Sequence, residues 1–137
     1  MPQALPPRVH AALAAAAARL DAAGVRWVLA GSAGRRLLGH ARRPRDVDIE
    51  VSRADGPRAA AALGIDLRPA AGGGRSSLRG ATVIAGVEVD LSAGLTVEGG
   101  GRRLPASPEV QLDLGTEVRL DHRRITVAPP EEAVARA

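Results

Sequence analysis

Apolar side chains recur at helical spacing near the start of the chain. Leu13 and Leu20, with the alanines around them, fall on one side of a helix of about 3.6 residues per turn. Two prolines precede this segment and Gly24 follows it, as is common at helix starts and ends. The pattern predicts a helix from Arg8 to Ala23 and then a first strand from Val25 to Ala30.

Acidic and aliphatic residues alternate strictly in the later stretch RDVDIEVS. Successive side chains of a strand point to opposite faces, so we predict a strand from Arg45 to Ser52 with one acidic and one aliphatic face. The acidic face carries Asp46, Asp48 and Glu50. Three like charges on one face are unfavourable unless water, a cation or arginine side chains compensate them.

Two short helices are predicted beside these strands. The pair Gly31-Ser32 forms a turn into a helix from Ala33 to Leu38. A second helix from Pro57 to Leu63 ends at Gly64, a residue typical of helix C-termini.

Shorter apolar runs, broken by glycine and proline, fill the second half of the chain. They predict a short strand at Leu67–Ala70, a flexible loop at Ala71–Ser77, strands at Ala81–Ala85 and Val87–Leu91 around a turn at Gly86, a hairpin-like stretch at Glu98–Arg103, a loop or short helix at Pro105–Asp113, a hairpin of Glu117–Leu120 with Arg123–Ala128, and a terminal helix at Glu131–Arg136. In the strand after Gly86, Glu88 and Asp90 share one face.

The order of elements predicts an α/β (α+β) fold, a mixed β-sheet flanked by helices, in a single domain spanning residues 1–137.

Composition narrows the function classes. The 137 residues include no cysteine, which excludes disulfides and thiolate metal sites, and a single aromatic residue, Trp27. No apolar run approaches the roughly 20 residues of a membrane span, and the start lacks a usual secretory segment. We therefore expect a cytoplasmic protein without a membrane partner.

All the basic residues are arginines, and the net charge is +4. One explanation for the arginines is GC-rich coding, which also accounts for the abundance of alanine, glycine and proline. The other is a surface that attracts phosphate, which arginine binds bidentately. The two explanations are compatible. The near absence of aromatic residues disfavours a base-stacking surface for nucleic acid, although the charge alone leaves a nucleic-acid partner open.

The candidate chemistry lies in an ordered set of residues: Gly31-Ser32, then Asp46-x-Asp48, then Asp90 on a later strand. Two carboxylates on one strand face and a third from a neighbouring strand can hold two divalent ions about 3.5–4 Å apart. Oxygen ligands favour Mg²⁺, which takes further ligands from phosphates. The glycine–serine turn offers backbone N–H groups and a hydroxyl to phosphate oxygens.

Each of these residues also has a plainer interpretation. The aspartates could form a solvated strand face, and Ser32 could only cap the helix that follows it. The arginines near the acids, namely Arg35, Arg36, Arg42, Arg43 and Arg45, could contact phosphate or neutralise the carboxylates. Glu50 and Glu88 lie on the acidic faces outside the motif, and the three histidines occur in unlike settings that give them no shared role.

The segments LAGSA, GRRLLGH, RDVDIEV and GVEVDLS resemble the nucleotidyltransferase superfamily, which includes DNA polymerase beta, the CCA-adding enzymes and the antibiotic nucleotidyltransferases. The residues of these segments are most similar to those of the aminoglycoside and lincosamide nucleotidyltransferases and of antitoxin-like minimal domains. The resemblance covers about half the chain. It implies a Mg²⁺-dependent enzyme that transfers a nucleoside monophosphate, AMP from ATP, to a hydroxyl of a small molecule or partner protein.

The same resemblance implies roles for individual residues. Asp46 and Asp48 would hold two magnesium ions, and Asp90 would complete the metal site and help activate the acceptor hydroxyl. Gly31 and Ser32 would bind the triphosphate of ATP or another nucleoside triphosphate. We add Arg35 and Arg45 as further nucleotide-binding candidates.

One departure from the family pattern concerns the end of the chain. Antibiotic-modifying relatives carry a C-terminal helical domain that closes over both substrates, and we expect none here. The acceptor site would then come from a second subunit in a homodimer, from a helical partner protein, or from nothing. The alternative function is a non-catalytic or antitoxin-like binding module on the same fold.

Overall fold

Three helices and an eight-stranded mixed sheet make up the computed structural model, which describes residues 3–99, 102–105 and 115–129. The helices are α1 (Pro7–Ala22), α2 (Gly31–Leu37) and α3 (Gly56–Leu63). The strands are β1 (Trp27–Ala30), β2 (Val47–Val51), β3 (Arg68–Gly72), β4 (Arg75–Ile84), β5 (Val87–Gly99), β6 (Arg102–Pro105), β7 (Thr116–Leu120) and β8 (Arg123–Val127). The predicted α/β class with a mixed sheet is confirmed.

The strand order is β3-β4-β5-β2-β1-β8-β7, and β6 pairs with β5 outside this path. β2 runs parallel to β5, and β1 runs parallel to β8, whereas the remaining pairs are antiparallel. The two central strands β2 and β5 therefore begin at the same end of the sheet. Residues near the start of each strand are brought side by side there.

The apolar face of β2 and β5 forms the centre of the core. Val47, Ile49, Val89 and Leu91 are each at most 1% exposed. They share one hydrophobic cluster with the buried faces of α1 and α3. A Cβ at Gly56, the first residue of α3, would lie 2.9 Å from the Cβ of Ala93, so glycine allows α3 to pack closely on this face.

Helix α1 forms where the sequence predicts it, with proline in its first turn and a buried apolar side. Its end is tied to the sheet through Asp21, whose carboxylate accepts a hydrogen bond of 2.9 Å from the indole N–H of Trp27. Arg123 at the start of β8 also donates to Asp21. One carboxylate thus links α1, β1 and β8.

The predicted flexible loop at Ala71–Ser77 is wrong. These residues form a hairpin in which β3 and β4 turn at Gly73 and Gly74, with φ angles of 59° and 75°. β4 and β5 consequently extend well beyond the short strands that the sequence predicts. Glycine, serine and arginine have little strand preference of their own, so pairing with neighbouring strands determines the conformation here.

The remaining predictions of secondary structure have mixed outcomes. β7 and β8 form the predicted hairpin about Asp121 and His122, and β5 pairs with β6 as expected for a hairpin-like stretch. The interpretation of Ser32 as a helix cap is wrong, because the cap position is Ala30 and no side chain caps α2. The predictions for Pro105–Asp113, apart from Pro105 itself, and for Glu131–Arg136 lie outside the described residues.

None of the helices in the described ranges has the length and apolar character needed to cross a membrane.

Candidate active site

A row of four residues crosses the face of the sheet that is opposite to α1 and α3. Asp48 on β2 is in register with Asp90 on β5. Outside this pair, Ala30 on β1 lies opposite Asp48, and Ala81 on β4 lies opposite Asp90. Side chains that are directly opposite in a sheet point to the same face, so the two aspartates are neighbours with an alanine on either side.

Three carboxylates converge at the end of the sheet where β2 and β5 begin. Asp46, Glu88 and Asp90 each offer a carboxylate oxygen, and these atoms all lie within 4.8 Å of one another. Asp46 directly precedes β2, and Glu88 lies one side-chain repeat before Asp90 on β5. Carboxylate oxygens at this spacing are the donor set that Mg²⁺ accepts in proteins.

The carboxylate of Asp48 lies on the side of the site nearest α2. A Cβ on Gly31 would overlap the Asp48 carboxylate, so only glycine leaves room for this side chain. Gly31 also has a φ of 64°, in the left-handed region that glycine adopts without strain. The glycine predicted as a phosphate-binding residue is thus in direct contact with one of the predicted metal ligands.

No family model matches the sequence, and no curated protein matches it either. The crystal structure of a putative nucleotidyltransferase from Thermotoga maritima is similar to this structure, with a TM-score of 0.78 at 20% sequence identity. The similarity covers 94% of this chain and 82% of that one. The chain has a nucleotidyltransferase fold. This agrees with the resemblance of the LAGSA and RDVDIEV segments to nucleotidyltransferases.

In this nucleotidyltransferase fold the carboxylates repel one another. Burial, followed by the charges of Glu88, Asp48 and Asp46, raises the pKa of Asp90 to about 6, and a hydrogen bond with Glu88 adds to the shift. Burial and then the charge of Asp46 raise the pKa of Asp48. Both pKa shifts come first from burial and then from the negative charge of neighbouring carboxylates. A divalent cation would compensate this charge, so the residues present fit Mg²⁺.

Two arginines oppose this repulsion from different sides of the site. The positive charges of Arg79 on β4 and Arg35 on α2 lower the pKa of Asp48, although not enough to offset burial. Arg35 is thus near the acids, as the sequence predicts. Arg45 is exposed and is not among the charges that shift either aspartate.

Arg36 and His10 make contacts with groups other than the clustered carboxylates. Arg36 donates hydrogen bonds to the carbonyl oxygens of Ala4 and Ala41, at 2.9 and 2.7 Å, so it joins the start of the chain to the loop after α2. His10 pairs with Asp121 at 2.9 Å. His40 is exposed.

The sequence motif leaves out one carboxylate and one arginine of the site. Glu88 is outside the motif, although the alternation in GVEVDLS indicates that it shares a face with Asp90. Arg79 carries no sequence signal, because it lies between the predicted loop at Ala71–Ser77 and the predicted strand at Ala81–Ala85, in a part of β4 to which the sequence assigns no element. Its place follows from the register of β4, in which Arg79 is opposite Ser92.

Proposed function

We propose that this protein is a Mg²⁺-dependent nucleotidyltransferase that transfers AMP from ATP to a hydroxyl of a small molecule or partner protein. One observation carries the proposal: on the sheet of a nucleotidyltransferase fold, Asp46, Glu88 and Asp90 converge next to Asp48, which is in register with Asp90 and contacts Gly31. Acidic clusters without a bound ion are common on protein surfaces. Here the cluster adjoins Asp48, and the absence of a side chain at Gly31 leaves room for the Asp48 carboxylate.

The metal ligands of the proposed enzyme are Asp46, Asp48 and Asp90, with Glu88 beside them. Bound Mg²⁺ would stabilise the charge that develops on the attacking and leaving oxygens of phosphoryl transfer. The support from the structure is the convergence of Asp46, Glu88 and Asp90, the register of Asp48 with Asp90, and the raised pKa of both Asp48 and Asp90.

The chain's own residues bind and orient the substrates in this proposal. Gly31 keeps the backbone close to Asp48, and the hydroxyl of Ser32 makes no capping bond to α2, so both suit contact with the donor triphosphate. Arg35 adds positive charge on the same side. Asp90, on the opposite side of the pair, orients the acceptor hydroxyl and receives its proton.

Isothermal titration with a non-hydrolysable ATP analogue and Mg²⁺ tests this function. We expect saturable binding that requires Mg²⁺ and disappears in the double variant Asp46→Asn, Asp48→Asn. Glu117→Gln on β7 is the control, because it removes one exposed carboxylate at the far edge of the sheet and should leave binding unchanged. If the unaltered protein does not bind the analogue, the proposal is wrong and the antitoxin-like binding module becomes the better hypothesis.

A further inference from the structure

Val83 is unusually exposed for an aliphatic residue in a strand. Among the described residues two large apolar side chains are exposed, Val83 at 68% and Leu38 at 38%. Val83 lies on β4 in register with Glu88, one of the three clustered carboxylates. A single exposed apolar side chain is ordinary on a protein surface, but ligand sites combine apolar surface with a few convergent polar groups, and Val83 lies directly beside such a group.

The strand that carries Val83 is open on its outer side. β3 pairs with β4 only along Arg75–Arg79, so in the described ranges no strand pairs with the outer side of β4 at Ala81–Ile84. Ala81, which lies opposite Asp90, is exposed and contributes only a methyl group. A molecule approaching Asp90 from this side would cross Ala81 and contact Val83.

The two flanks of the carboxylates therefore differ in chemistry. On the β1 side, Gly31 brings the main chain close to Asp48, and Arg35 adds a positive charge. Both features suit a triphosphate. On the β4 side, Ala81 and Val83 offer apolar surface at the level of Asp90 and Glu88, and the positive charge of Arg79 lies two residues before Ala81, nearer to Asp48. In an in-line transfer, the attacking oxygen of the acceptor and the leaving pyrophosphate lie on opposite sides of the reacting phosphorus. The β4 side is then left for the acceptor.

We infer that Ala81 and Val83 form the acceptor-binding surface and that the acceptor is an alcohol whose hydroxyl is carried on an apolar group. This inference rests on the nucleotidyl transfer proposed above. The oxygen of the alcohol forms a bond to the α-phosphorus of ATP, and the bond from that phosphorus to the bridging oxygen breaks. Pyrophosphate leaves with the electron pair, and the hydroxyl proton passes to the carboxylate of Asp90.

The test uses the full chain with ATP and Mg²⁺ and measures formation of the AMP ester with three probe alcohols: methanol, 1-butanol and glycerol. Burial of each methylene favours binding by about fourfold, so partial contact of the butyl chain with Val83 should give 1-butanol about a tenfold higher kcat/KM than methanol. Glycerol has a similar size but a polar surface, and it should be no better than methanol.

Val83→Thr separates the effect of apolar surface from that of shape, because threonine keeps the branched outline and the strand preference. We expect it to lower the kcat/KM for 1-butanol about tenfold, to leave methanol unchanged and to retain affinity for the non-hydrolysable ATP analogue. Leu38→Thr is the matched control at the other exposed apolar side chain and should change neither acceptor.

Ala81→Leu gives a second measurement at the same surface. Its larger side chain would extend over the approach to Asp90, so transfer to 1-butanol should fall more than tenfold while the ATP analogue still binds.

Three results would overturn the inference: glycerol used as well as 1-butanol, a preference that survives Val83→Thr, or no ester with any of the three alcohols although the ATP analogue binds. Failure to bind the analogue at all is a different result, because it removes the proposed function and the inference with it.

Discussion

Asp48 on β2 lies directly opposite Asp90 on β5, although α3 and the β3–β4 hairpin separate them in the sequence. The parallel pairing of the two strands fixes this relationship. A shift of either strand by one residue would turn its carboxylate into the apolar core, because successive side chains alternate between faces. The buried valines and isoleucine on the other face therefore hold the register of the acidic site.

The stability of the metal-free protein should depend on pH through Asp90. Its pKa in the folded protein, about 6, is above the ordinary value of 3.8. The neutral carboxyl thus contributes stability that is complete below about pH 4 and is lost as the pH rises through 6. Asp90→Asn should raise the free energy of unfolding at pH 7.5 by about 1 kcal/mol, after discounting for solvent screening, and should have little effect at pH 4.

Thermal denaturation followed by circular dichroism at both pH values measures this difference. Mg²⁺ added at pH 7.5 should stabilise the unaltered protein and not Asp90→Asn. A variant that shifts the unfolding midpoint equally at pH 4 and pH 7.5 would contradict the assigned cause.

Gly31→Ala should damage the site beyond its effect on stability. The φ of 64° at Gly31 adds strain of about 1 kcal/mol for alanine, and the new methyl group would displace the Asp48 carboxylate. Binding of Mg²⁺ with the ATP analogue should weaken by at least tenfold in isothermal titration.

The control is Gly64→Ala at the end of α3. Gly64 has a φ of 71°, so the strain is similar, but a Cβ there would meet no atom within 4 Å. This variant should lose comparable stability and keep its affinity. Equal binding by the two variants would show that the contact between Gly31 and Asp48 has no role in the site.

Glu88→Gln should weaken Mg²⁺ binding by about tenfold, in the range seen when partners of metal ligands are removed. Glutamine keeps the size of the side chain and removes the charge that raises the pKa of Asp90. The same substitution at Glu117 is the matched control. Unchanged affinity in Glu88→Gln would exclude Glu88 from the metal site despite its position within the group.

Asp21→Ala should destabilise the fold without affecting the site. It removes the acceptor of the Trp27 indole N–H and the partner of Arg123, so the free energy of unfolding in urea should fall by about 1–2 kcal/mol. Asp21→Asn retains an oxygen acceptor for the indole and should lose less. Equal losses in the two variants would assign the effect to the charge pair with Arg123 alone.

Much of the fold around the site could be predicted from the sequence. The strict alternation at Asp46–Val51 identified β2, and Pro7 with the apolar spacing of Leu13 and Leu20 identified α1. These segments carry strong local signals. The hairpin turning at Gly73 and Gly74 carries none, because its strands are held by pairing rather than by their own preferences.

The site was only partly predictable for a related reason. Alternation within one strand gives the face of each acid, and it placed Asp48 and Asp90 on acidic faces correctly. It does not give the register between β2 and β5, which determines that they are adjacent. The contact of Asp48 with Gly31 and the approach of Arg79 depend on three-dimensional positions that no local pattern contains.

The position of Trp27 has a practical consequence. It is the single aromatic residue of the chain, and it lies at the opposite end of β1 from Ala30, paired with Val51 rather than with Asp48. Its fluorescence emission therefore comes from one buried indole that is hydrogen-bonded to Asp21 of α1 and lies away from Asp48 and Asp90. Emission will follow the exposure of this indole during denaturation, with no second fluorophore to correct for and little direct quenching by nucleotide.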